Sequence, residues 1–216
     1  MFSKSDAHDY INDLLQFDLA HGREPGTWYK FHNHVYGVGY LAEKIANVLG
    51  DVDSEKVWIL SVMHDAGKIH ERLEQRFHGL VGYEFFKDKD DEIARISLTH
   101  TFHFNRIPPY EKVERMFFGK KDDYEFVKYF LKQHPANEYD KIVQVCDSLA
   151  NCGGFVTLEQ RGEEFAQRYK MPVPDYMIKG AYQLKDYFDK RLGRDIYSLY
   201  KELPSDFMLM PGKDYK

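Results

Sequence analysis

Residues 54–68 read SEKVWILSVMHDAGK. Val57, Leu60 and His64 follow one another at spacings of three and four, the period of one helical face, so the stretch predicts a helix capped by Ser54 and ended by Gly67. The histidine on that apolar face is followed at once by Asp65, and then by Gly67 and Lys68. At a solvated helix end such residues would be ordinary surface charges. On the inward stripe they are the beginning of a metal site with an acid beside it.

The helical period recurs along almost the whole chain, whereas strict apolar and polar alternation is scarce. Residues 6–20 form one amphipathic segment, closed by His21-Gly22 and the turn-rich REPGT of residues 23–27. Residues 34–49 form the next, with Val38, Leu41, Ile45 and Leu49 on one face and Gly50 as the stop. Further helices are predicted at about 77–87, 90–102, 109–118, 122–133 and 139–151. The fold class is therefore all-α. NCGGF at 151–155 is the strongest break and sets a soft boundary. Beyond it MPVPD introduces a helix whose Met177, Ala181, Leu184 and Phe188 form a core stripe. We expect a single helical domain over residues 1–216, with a core at about 28–155 and a C-terminal helical extension at about 156–216.

Composition narrows the class of protein. Of the 216 residues 43% are hydrophobic, enough to bury a substantial core. Thirty basic and 35 acidic residues give a net charge of −5, which provides no electrostatic footprint for duplex nucleic acid. No apolar run approaches the ~18 residues that span a bilayer. The N-terminus lacks the pattern of a secretory signal. Cys146 and Cys152 have no CxxC spacing, which fits a reducing compartment, and a cytoplasmic location is expected.

Several ionisable residues share the apolar stripes. His34 lines up with Val38, Leu41 and Ile45, His78 with Gly82 and Phe85, and His100 with Ile93 and Ile96. Asp147 is in register with Val143 and Ala150. A buried carboxylate without compensation costs on the order of several kcal/mol or takes up a proton, so Asp147 needs a partner. A lone histidine on an apolar face is usually a hydrogen-bonded core residue. Four histidines and two aspartates on five helices are better explained by a shared cation. Asp65 has two oxygens and can bridge two ions, while Lys68 lies close enough to reach a phosphate or a leaving-group oxygen. Because His34 opens the stripe, it is preferred to His32, which is assigned to the pocket lining; His103 is a reserve candidate on the side of His100. His8, His21, His70 and His134 fall in polar surroundings and are expected in solvent. Trp28, Tyr29, Phe102 and Phe104 divide equally between stacking on a base and core packing.

The ordered set His34, His64-Asp65, His78, His100 and Asp147 resembles the HD-domain superfamily of metal-dependent phosphohydrolases, in its six-ligand, two-metal branch. HDAGK looks like the HDxGK of several subfamilies. HGLVGYEFF followed by ISLTHTF is similar to the corresponding segment of bacterial HD hydrolases that split dinucleoside tetraphosphates. The resemblance covers roughly residues 28–155. It lacks the GYP tripeptide and the longer insertion of cyclic-di-GMP phosphodiesterases, so that substrate is not carried over. The resemblance implies that His34, His64, Asp65 and Asp147 hold one ion, with Asp65 bridging to a second held by His78 and His100. The donor set suits Fe, Mn, Co, Ni or Zn. It further implies hydrolysis of a phosphoester or phosphoanhydride, of a nucleotide or dinucleotide, by a metal-activated hydroxide. Asp65 and Lys68 would be the catalytic residues, with Lys30 and Arg106 as phosphate contacts. Di-iron oxygenases of the HD type share similar ligands and form the alternative; a nucleotide-binding sensor without turnover is a second.

Overall fold

Ser3 and Asp6 form a reciprocal capping box at the start of α1 (Lys4–Ala20) in the computed structural model, which describes residues 2–22 and 28–209 apart from the side chain of Arg72. The expected turn at 23–27 lies outside the described residues. Helix α2 (Tyr29–Leu49) begins a full turn before His34 and ends at Gly50, whose φ of 72° is the left-handed conformation that glycine adopts freely. Helix α3 (Ser54–Met63) is capped by Asp53 rather than Ser54: the Asp53 carboxylate accepts from the Lys56 amide at 3.0 Å. An acid at this position also faces the positive end of the helix dipole, so it displaces the serine one residue on.

Helix α2 is the spine. Its Val35, Val38, Leu41, Ala42 and Ile45 are inaccessible to solvent, and it packs along α3 and α9 (Glu138–Leu149). Each Leu or Ile so buried contributes about 1.5–3 kcal/mol relative to exposure. A short helix, α4 (Lys68–Glu74), follows the HD stretch, then α5 (His78–Phe86) and α6 (Asp91–Thr99). Phe86 and Ile96 of this pair enter the main core, while Leu80 and Leu98 join a second core with Val113, Phe117, Val127 and Leu131. These last four come from and around α7 (Tyr110–Val113) and α8 (Lys121–Gln133). Phe85, expected inward beside His78, is 43% exposed; Phe86 is buried in its place.

Beyond α9 the predicted break is a two-stranded antiparallel hairpin, β1 (Ala150–Asn151) with β2 (Gly154–Phe155), seated on α2. Helix α10 (Leu158–Tyr169) was not anticipated, because its sequence is polar and among its residues only Leu158 is buried. Helix α11 (Asp175–Leu192) returns onto α9 through Ala181, Leu184 and Phe188, the predicted stripe, with Met177 half-buried. A 3₁₀ segment at Ile196–Glu202 follows. Buried Asn33 ties these parts together: its Nδ2 donates to the carbonyls of Cys152 (3.1 Å) and Leu209 (3.0 Å), and its Oδ1 accepts from the Leu209 amide at 2.7 Å. The described residues are overwhelmingly helical, as the periodicity predicts. No described helix is long and apolar enough to cross a membrane.

Candidate metal centre

The six residues singled out in the sequence converge. His34 comes from the second turn of α2, His64 and Asp65 from the turn after α3, His78 from the first turn of α5, His100 from the C-cap of α6, and Asp147 from the last turn of α9. Asp65 is at the middle, its side chain 2% exposed. Its Oδ2 lies 3.6 Å from His34 Nε2 and 3.7 Å from His64 Nε2. Its Oδ1 lies 3.3 Å from His78 Nε2 and 3.4 Å from His100 Nε2. Asp147 Oδ1 stands 3.2 Å from His34 Nε2 and 3.8 Å from His64 Nε2. Its side chain is 26% exposed, so it sits at the rim rather than in the interior its register suggested.

The other ring nitrogen of every histidine is already engaged. Nδ1 of His34 faces the Ala150 carbonyl at 3.1 Å, that of His64 the Ser61 carbonyl at 2.5 Å, and that of His100 the Ile96 carbonyl at 3.1 Å. Nδ1 of His78 faces Glu71 Oε1 at 3.3 Å. These oxygens only accept, so each Nδ1 carries the proton and each Nε2 presents a lone pair to the centre. This arrangement fits a metal: outer oxygens set the tautomer and aim the ligand atom. Two observations require a cation or proton at the centre. His64 Nε2 is buried with no hydrogen-bond partner. His78 and His100 bring their Nε2 atoms to 3.1 Å of one another, where two lone pairs repel unless something positive lies between or beside them. Two groups, His34/His64/Asp147 and His64/Asp65/His100, each bring one ligand atom per residue close enough for a single ion.

The electrostatics match this use. Burial lowers the His64 pKa to about 4 and also lowers that of His78, so both imidazoles are neutral at pH 7. Burial alone would raise the pKa of Asp65, but the Lys68 ammonium, followed by positive charge at the imidazole positions, reverses this and holds it well below the usual carboxylate range. In Asp147 burial is likewise outweighed, here by the 3.2 Å contact with the His34 ring and by positive charge at the His64 and His34 positions, the charge a bound cation would supply. Lys68 Nζ is 3.0 Å from Asp65 Oδ2, while the side chain as a whole is 49% exposed: its stem runs along the surface and its head turns in.

Gly67 is present for space rather than to end α3. Its backbone is in the right-handed region, but a Cβ there would come within 2.1 Å of the His78 carbonyl and 2.5 Å of the Gly82 amide nitrogen. The close approach of the turn to α5 is what brings Asp65 and His78 together.

The remaining candidates lie elsewhere. His32 packs against the Tyr36 ring at a tilt, centroids 4.3 Å apart, and burial lowers its pKa to about 4. His103 meets Ser148 Oγ at 3.2 Å instead of the cluster. Trp28 and Phe102 are core residues. Arg106 lies over the Phe104 ring at 5.2 Å, and Lys30 near the Tyr29 ring at 6.0 Å. Of the histidines expected in solvent, His8 and His21 are exposed, while His70 and His134 are half-buried against Phe17 and Phe130. Sequence reasoning missed Glu71, whose only signal is its position one helical turn after Lys68. It also missed Arg161, which sits on α10, a helix that is polar overall and was not anticipated.

The HD domain family profile matches residues 31–152, more than half of the chain and a span that contains all six residues and Lys68. The protein belongs to the HD domain family, a superfamily of metal-dependent hydrolases. No curated protein and no solved structure gives a significant match.

Proposed function

We propose that the protein is a metal-dependent phosphohydrolase that cleaves a phosphoester or phosphoanhydride of a nucleotide or dinucleotide. The observation that carries the proposal is the convergence of four Nε2 lone pairs on the two oxygens of one buried carboxylate. His34, His64, Asp147 and Asp65 Oδ2 would hold one divalent transition ion; His78, His100 and Asp65 Oδ1 would hold a second. Such ions supply Lewis acidity and an activated water at neutral pH. Lys68, its ammonium directed at the cluster, stabilises charge developing on the phosphoryl oxygens or gives a proton to the leaving oxygen. The nucleotide is favoured by the similarity of HGLVGYEFF and ISLTHTF to dinucleoside-tetraphosphate hydrolases. The clamp through Asn33 supports a single functional unit over residues 1–216, and the unpaired Cys146 and Cys152 fit the cytoplasm.

The test is elemental analysis of the purified protein with phosphate-release assays, aerobic and anaerobic, on a nucleotide panel. Close to two metals per chain with oxygen-independent phosphate release is the expected result. Two irons with oxygen consumption and no phosphate release would replace the hydrolase with an oxygenase. Absence of metal under every loading condition would overturn the centre itself.

A further inference from the structure

Arg161 is on α10, beyond the segment that the family profile covers, yet it reaches the rim of the metal centre. Its Nη2 lies 3.5 Å from the Asp147 carbonyl oxygen and 4.0 Å from Asp147 Oδ1. A closed guanidinium–carboxylate pair would be at about 2.7–2.9 Å, so this arginine stands over Asp147 without being spent on it. It is nevertheless aimed. Nη1 donates to Glu164 Oε2 at 3.2 Å, and Glu164 Oε2 also accepts from Asn151 Nδ2 at 3.1 Å, in the hairpin strand that follows the Asp147 helix. The side chain is 30% exposed, so it is not sealed in the interior. Asp147 and Asp65 face the same two imidazoles, His34 and His64, and Lys68 stands on Asp65 as Arg161 stands on Asp147. Two cations from separate elements thus border one set of metal-binding donors.

We propose that Arg161 is a substrate-binding residue whose guanidinium takes non-bridging oxygens of the substrate's phosphate at the metal centre, an inference that rests on the phosphohydrolase function above. A planar fork of donors matches phosphate oxygens better than an ammonium can, which gives the arginine a role that Lys68 does not duplicate. The C-terminal extension thereby completes the site and selects phosphorylated substrates.

The experiment uses the full-length, metal-loaded protein and inorganic phosphate as probe. Phosphate affinity by calorimetry and metal content by elemental analysis are measured for the wild type, Arg161→Ala and Arg161→Lys, together with KM and kcat on the nucleotide that releases phosphate fastest. The expected result is unchanged metal content, phosphate affinity weakened about 10- to 100-fold in Arg161→Ala, and an increase in KM that exceeds the change in kcat. If Arg161→Ala does not fold, Arg161→Lys carries the test, and a loss of about threefold or more supports the role because the charge is kept while the fork is lost. Unchanged phosphate affinity overturns the inference. So does metal loss in the variants, which would make Arg161 a positioning residue for Asp147. A wild type that turns over normally beside indistinguishable variants sinks this inference alone; a wild type that neither binds nor releases phosphate sinks the phosphohydrolase reading with it.

Discussion

Asp65 sets each of its carboxylate oxygens against a different pair of imidazoles and so joins the two halves of the cluster. Asp65→Ala should therefore abolish metal retention and turnover together, read by elemental analysis and phosphate release; a variant that kept both would remove the proposed function. Lys68 meets the cluster at Asp65, whose Oδ2 accepts from its Nζ. Lys68→Ala should keep the metal and lower kcat by about 10²–10³, the cost of losing one preorganised charge at the transition state. Glu71 acts through His78, whose Nδ1 it holds. Glu71→Gln should weaken metal affinity about 10- to 100-fold in chelator competition, because an amide orients the ring without the carboxylate's pull on its proton. An unchanged affinity would leave Glu71 as a surface acid.

At the scale of elements, the contact between the HD turn and α5 is made at glycine. Gly67→Ala places a methyl group against backbone that cannot yield as a flexible side chain would, and should destabilise the fold by about 1–3 kcal/mol while lowering metal occupancy. Thermal unfolding with and without metal measures this, and an unchanged Tm would show that α5 can move away. The turn after α6 provides a pH-dependent test. Burial lowers the His103 pKa to about 4, against about 6.5 in an unfolded chain. Between those values the unfolded chain takes up a proton that the folded chain does not. The stability from burying the neutral ring is thus fully present above about pH 6.5 and is lost as the pH falls to about 4, by at most about 3 kcal/mol. Urea unfolding of metal-stripped protein across this range should show the loss, and His103→Gln should flatten the curve. His64 titrates with the same sign, so part of the slope persists in the variant.

Across the whole molecule, Asn33 joins three distant stretches of chain: the spine helix beside His34, the hairpin at Cys152 and the C-terminal segment at Leu209. Asn33→Ala leaves the partner groups at Cys152 and Leu209 without it and should cost about 2–4 kcal/mol. Hydrogen exchange should rise at residues 150–155 and 205–209 before it rises in α2. Uniform exchange would mean that the hairpin holds itself without the clamp. The same hairpin carries the Ala150 carbonyl that orients His34, so metal affinity should weaken in the same variant.

Helical period is enough to give the all-α class and to put His34, His64, His78, His100 and Asp147 in register with apolar residues, and Asp65 is legible as the neighbour of His64. A histidine in register with Leu41 and Ile45, or with Ile93 and Ile96, must point where those residues point once they leave water. Tertiary structure decided what period does not encode. Helix α4 is only seven residues long and α10 buries only Leu158, so neither offers a long buried stripe to read, and the Asp53 cap and the hairpin at 150–155 depend on local geometry and on what packs above. Which carbonyl takes each Nδ1 proton is set by where helices cross. So is the reach of Arg161 to Asp147, since the strength of a contact at 3–4 Å depends on the approach of two backbones and not on the spacing of residues within either one.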